Sequence, residues 1–137
     1  MAEVSRNLVE NFNLSEDQAA YRESEIRRHF PEAWIDGYED LIPAMTNQAK
    51  DRHVLAAAVR AQAEIIVTYN RKDFPAASLA PYSISVQGPS TFLKNLYDLD
   101  QEAVLRTLEE QAGAIGQPMS YLLERLCVNV PGFVEGL

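Results

Sequence analysis

At 137 residues, 47% of them hydrophobic, the chain carries material for one ordinary core and not for two; its charged fraction of 23% and evenly spread aromatics exclude a disordered or low-complexity class. The net charge of −8 weighs against nucleic-acid binding unless cations gather locally, and Lys50, Arg52, Arg71 and Lys72 do cluster around two acidic motifs. Cys127 is the single cysteine, which excludes an internal disulfide and a cysteine-based zinc cluster, and it reads as a packed thiol; the longest strictly apolar run, residues 54–59, is too short for a membrane span, and Met1 leads into no secretory segment, so a cytoplasmic location is expected.

Val4, Leu8 and Phe12 recur at i, i+4 and i+8, so the chain opens inside a helix. Ser15 and Gln18 form a capping box for a second helix, which runs to about Phe30 and is closed by Pro31. Glu23 and Arg27 pair at i, i+4 on its exposed face, and Arg22, Arg27 and Arg28 read as a solvated surface. Between residues 33 and 45 the pattern predicts a short strand at Trp34 and Ile35, a turn at Gly37, and a short helix over 38–42 ended near Pro43.

Residues 50–62 form a helix with Leu55, Ala58 and Val59 on one side. A minimal turn leads to Glu64-Ile65-Ile66-Val67-Thr68, a β-branched run without alternation. Such a run predicts a parallel strand covered on both faces, with the preceding helix as its crossover. Residues 83–87 read as the next strand, with Ile84 and Val86 toward one face, followed by Gly88-Pro89 and a helix through Phe92, Leu93 and Leu96. The fold class is therefore α/β. From about Asp100 a helical hairpin is expected: Val104, Leu108 and Ile115 form one stripe, Gly116-Gln117-Pro118 the break, and Leu122, Leu123, Leu126 and Val130 the other. The expected division is an α/β domain over 1–98 and a helical appendage over 99–137, with no repeat and no long linker.

Asp51 stands in the first turn of its helix, aligned with Leu55, Ala58 and Gln62, and the helix N-terminus favours its ionised form. Asp73 follows the strand ending at Thr68 across the short turn Tyr69-Asn70-Arg71-Lys72. A helix that precedes a parallel strand begins near the rim where that strand ends, and that rim is where open parallel sheets bind ligands. The two aspartates can thus converge. Hard carboxylates at a sheet rim, with little histidine, suit Mg²⁺ or Mn²⁺ and disfavour zinc; such an ion can acidify a water and stabilise charge on a phosphate. The plainer alternative is that Asp51 is an ordinary N-terminal helix acid and Asp73 an ordinary turn aspartate.

The segments Lys50-Asp51-Arg52-His53-Val54-Leu55-Ala56-Ala57-Ala58 and Glu64-Ile65-Ile66-Val67-Thr68-Tyr69-Asn70-Arg71-Lys72-Asp73-Phe74-Pro75 together resemble the paired signature of PIN domains, the ribonucleases found in VapC-type toxins of toxin–antitoxin modules. Pro89-Ser90-Thr91-Phe92-Leu93 resembles the family's continuation, and Glu3-Val4-Ser5-Arg6-Asn7-Leu8 resembles the helix that contributes an earlier acid. The resemblance implies a PIN-like parallel sheet and an RNA-cleaving site in which Glu3, Asp51 and Asp73 are catalytic and hold Mg²⁺ or Mn²⁺. It also implies that Thr68 and Asn70 orient the last acid or meet the substrate phosphate. Arg52, Arg71 and Lys72 are the nearby cations expected to meet RNA, whereas His53 is expected to be structural.

PIN domains open with an aspartate-bearing strand in the middle of their sheet, and nothing before Glu3 matches it, so an N-terminally truncated sheet is expected. The strand over 64–68 would then have a bare edge, and the chain would self-associate or take a strand from a second polypeptide. Two functions follow from this reading. One is a toxin-like endoribonuclease with an antitoxin partner; the other is a catalytically weak binding or regulatory subunit working through the exposed edge. A flavodoxin-like or nucleotide-binding protein fits less well, because no Gly-rich phosphate loop follows a strand.

Overall fold

The computed structural model describes residues 15–137, so Glu3 and the stripe of Val4, Leu8 and Phe12 lie outside the described residues. The chain divides into two compact units after Tyr38. In the first, helix α1 (Glu16–His29) starts on the expected capping box: Ser15 Oγ accepts from the Gln18 amide at 3.1 Å, and Gln18 Oε1 accepts from the Ser15 amide at 2.9 Å. Glu16 and Asp17 in the first turn and Arg27, Arg28 and His29 in the last suit the helix dipole. Arg27 pairs with Glu23 at 3.3 Å, as its spacing requires.

Pro31 opens a 3-10 turn, Pro31–Ala33. The strand expected at Trp34 and Ile35 does not form: these residues have no ladder partner, and the Arg27 guanidinium lies 3.4 Å above the centre of the Trp34 ring. A stacked cation is a sufficient use for one face of an indole.

The second unit begins with a 3-10 segment, Glu39–Ala44, with Pro43 inside it. Another 3-10 turn, Ala49–Asp51, feeds helix α2 (Arg52–Arg60), whose Leu55 and Ala56 are completely buried. Helix α2 closes with the Ala63 amide donating to Ala58 O at 2.9 Å, which puts Gln62 in the left-handed region at φ 56°. Strand β1 (Ile65–Val67) follows. A 3-10 turn (Arg71–Asp73), helix α3 (Ala76–Leu79) and a further 3-10 turn (Ala80–Tyr82) then lead to strand β2 (Ser85–Gln87).

The two strands are parallel, with Ile65 opposite Ser85, Ile66 opposite Val86 and Val67 opposite Gln87. The expected parallel pairing is thus present, in a two-stranded sheet among the described residues. The cover expected on both faces of β1 is complete on one face and only partial on the other. Ile66 is buried, whereas Ile65 and Val67, which point the opposite way, are 37% and 42% exposed.

Helices α4 (Pro89–Leu99), α5 (Gln101–Ala114), α6 (Met119–Asn129) and α7 (Pro131–Glu135) complete the unit. The hairpin of α5 and α6 turns at Gly116, where φ is 66° and the Gln117 amide donates to Ala112 O at 3.0 Å. Leu108, Val130 and Phe133 form a buried cluster against which Leu93 and Tyr97 of α4 also pack. The expected boundary at 98/99 falls in the last turn of α4, and α4 and α5 share this cluster. No helix among the described residues is long and apolar enough to cross a membrane.

Candidate active site

The segment before α2 is stitched to the segment after β1. Gln48 donates its amide to Asp73 O at 3.2 Å, and Thr46 Oγ1 donates to Ser78 Oγ at 2.9 Å. Asn47 is almost wholly buried; its Nδ2 donates to Asp51 O at 3.1 Å, and its own carbonyl accepts from Arg52 Nε at 3.0 Å. Short polar bonds of this kind fix the backbone on either side of a site, because each buried donor left unmatched would cost about 1–3 kcal/mol.

This stitching brings Asp51 and Asp73 together. Asp51 occupies the N-cap position of α2, with φ −115° and ψ 11°, yet its side chain caps no helical amide. Its carboxyl instead lies within hydrogen-bonding reach of the Asp73 carboxyl. Asp73 is buried, only 6% exposed. The ordinary roles of helix-capping acid and surface turn acid therefore do not describe this pair.

Partial burial pushes the Asp51 pKa above the usual carboxylate range, and the hydrogen bond and charge of Asp73 push it further, against the opposing pull of Lys50 and His53. Lys50 Nζ stands 3.3 Å from Asp73 Oδ2. That buried oxygen accepts no hydrogen bond, so the ammonium meets it as an ion pair without hydrogen-bond geometry. Farther along the loop, Thr68 Oγ1 accepts from the Asn70 amide at 3.1 Å and Asn70 O accepts from the Asp73 amide at 3.0 Å. A continuous chain of bonds thus runs from the end of β1 to the second acid.

Of the residues singled out in the sequence, Asp51 and Asp73 meet, and Thr68 and Asn70 shape the loop that carries Asp73. Arg71 and Lys72 are exposed on the turn leading into it, and Arg52 is held by the Asn47 carbonyl. Glu3 lies outside the described residues. His53 is close enough to influence Asp51 electrostatically. The sequence reading missed Asn47 and Gln48, which hold the two acids' backbones, and the contact of Lys50 with Asp73. Residues 46–49 have no periodicity and match no motif, so only their proximity to the second loop reveals them.

Among the described residues no group of three or more His, Cys, Asp or Glu side chains could hold a metal ion. Two facing carboxylates, one with a buried oxygen lacking a hydrogen-bond donor, nevertheless suit a hard divalent cation. Mg²⁺ in particular is commonly held by one or two carboxylates and keeps several waters.

A Mycobacterium tuberculosis (strain ATCC 25618 / H37Rv) protein named "Putative ribonuclease VapC50" is 47% identical to this chain over 104 residues, which cover 74% of the chain and 62% of that protein. The chain thus matches less than two thirds of that relative's length. No family model matches the chain, and no solved structure matches it significantly. A stretch covering 74% of 137 residues includes the middle of the chain wherever it starts, and Asp51 and Asp73 both lie there. By this identity, the matched stretch belongs to the VapC-type family of PIN-domain ribonucleases.

Proposed function

We propose that this chain is a divalent-metal-dependent endoribonuclease of toxin type, cleaving RNA phosphodiester bonds in the cytoplasm and restrained by an antitoxin protein. The observation that carries the reading is the convergence of Asp51 and Asp73 at the rim where β1 ends. A Mg²⁺ or Mn²⁺ ion held by Asp51 and Asp73 would supply positive charge to the scissile phosphate and acidify a water for in-line attack. The chain's own residues do the positioning. Asn47 and Gln48 fix the backbone behind each acid, and the bonds through Thr68 and Asn70 hold the loop that presents Asp73. Arg71 and Lys72, exposed on that loop, give RNA phosphates a local positive field on a molecule of net charge −8.

Mn²⁺-dependent cleavage of single-stranded RNA tests this reading. Asp51→Asn and Asp73→Asn are each expected to lower the rate at least about a hundredfold while the chain stays folded, as follows when a group that stabilises transition-state charge is removed. Full activity in either variant would overturn the assignment.

A second reading, a binding or regulatory subunit, draws on the exposed Ile65 and Val67 of β1, whose backbone groups face away from β2. A strand from a second copy or a second polypeptide would cover that edge. Absence of cleavage, together with a stable oligomer or strand-mediated complex by light scattering, would favour it over the enzyme.

A further inference from the structure

We propose that Lys50 is a placeholder for the divalent cation: its ammonium occupies the charge position beside Asp73 in the metal-free protein, leaves it when the ion binds, and so sets the metal affinity as a built-in competitor. This rests on the carboxylate pair being the metal site. Three features of the ion pair support the exchange. Asp73 offers a buried oxygen that accepts no hydrogen bond, so an opposite charge is what it lacks. The Lys50 ammonium meets that oxygen at 3.3 Å without hydrogen-bond geometry, so little directional bonding is lost when it departs.

The Lys50 side chain is 63% exposed and that of Asp73 only 8%. The lysine therefore reaches a buried oxygen from a stem that already lies in solvent, and release returns its ammonium to water with a small reorganisation of the chain. The charge count points the same way. Two carboxylates and one ammonium leave a net −1, whereas the same three groups with a divalent ion sum to +1, and the ion and the ammonium then repel each other across a few ångströms.

Neighbouring cations are less suited to the task. Arg52 is bonded to the Asn47 carbonyl, and Arg71 and Lys72 are exposed on the turn. His53 influences Asp51 and also makes an interaction within the fold.

The test is a calorimetric Mn²⁺ titration of the full chain at neutral pH, alongside Lys50→Gln, Lys50→Arg and Asp73→Asn. Lys50→Gln is expected to bind Mn²⁺ about tenfold more tightly than the parent, Lys50→Arg to bind as the parent does, and Asp73→Asn to lose most binding. Without metal, Lys50→Gln should melt below the parent, and saturating Mn²⁺ should close that gap; a merely structural ion pair would leave it open.

A measurement on the unaltered chain covers the case in which Lys50→Gln does not fold. Acylation of Lys50, read by mass spectrometry against Lys72 and Lys94, should quicken when Mn²⁺ is added. Equal or weaker Mn²⁺ binding by Lys50→Gln, or unchanged acylation of Lys50 at saturating Mn²⁺, overturns the placeholder role. Unchanged binding by Asp73→Asn instead overturns the metal site itself, and the absence of binding by every form overturns both.

Discussion

Asp51 is a residue whose sequence position has two ordinary meanings and whose structure selects a third. A first-turn acid next to a helix N-terminus is expected to be ionised and either solvated or capping. Here burial and the adjoining Asp73 oppose ionisation, and Lys50 only partly offsets them. Because the folded-state pKa is raised, the contribution of Asp51 to stability is fully present below the ordinary carboxylate pKa and is lost as pH rises through the raised value. At neutral pH the metal-free pair therefore costs stability. Asp51→Asn should raise the melting temperature of the metal-free protein at pH 7, and the gap should narrow as pH falls toward about 4. Thermal melts across that range decide the matter; a variant less stable than the parent at pH 7 would show that Asp51 is a stabilising acid. Such a loss of stability is expected wherever two like charges are held close together and partly out of water.

At the scale of elements, the turn between α2 and β1 sets the geometry. It is short because Gln62 takes a left-handed conformation at φ 56°, with its amide donating to Val59 O at 3.1 Å and the next amide to Ala58 O. Glycine adopts that conformation without the crowding that a Cβ brings. Gln62→Gly is expected to stabilise the protein by about 0.5–1 kcal/mol in denaturant unfolding, with no change in the dependence on denaturant. A loss of stability would mean that the glutamine side chain contributes more than its strain costs.

The same turn shows how far local signals reach. The existence of α2, β1, β2 and α4 was legible from periodicity and β-branching, and α1 from its capping box. The 3-10 turns over 39–44, 71–73 and 80–82 were mostly not, since segments this short carry no period. Trp34 and Ile35 looked like a strand by residue type alone, but a strand needs a partner, and the Trp34 ring stacks with Arg27 instead.

For the larger unit as a whole, helices α4 to α7 are more than a tail in packing terms. Phe133 and Leu108 are buried against α4, which follows β2 directly. Phe133→Ala should cost about 3–5 kcal/mol, as for other large aromatic truncations in cores. If the unit over 39–137 unfolds cooperatively, exchange of the Thr68 amide, which donates to Gln87 O at 2.9 Å, should quicken along with exchange in α6. Accelerated exchange confined to α5–α7 would support an independent appendage.

The sequence by itself determined the α/β class and the parallel pairing of the two β-branched runs. Those properties follow from side-chain period, backbone propensity and the rule that a crossover helix starts at the rim where its strands end. Tertiary structure alone decided that Asn47 and Gln48 brace the two acids, that Lys50 supplies a neighbouring charge, and that Ile65 and Val67 of β1 stay partly exposed while Ile66 is buried. The contacts of Thr46 with Ser78, of Gln48 with Asp73 and of Lys50 with Asp73 join segments some twenty to thirty residues apart, and no local pattern encodes them.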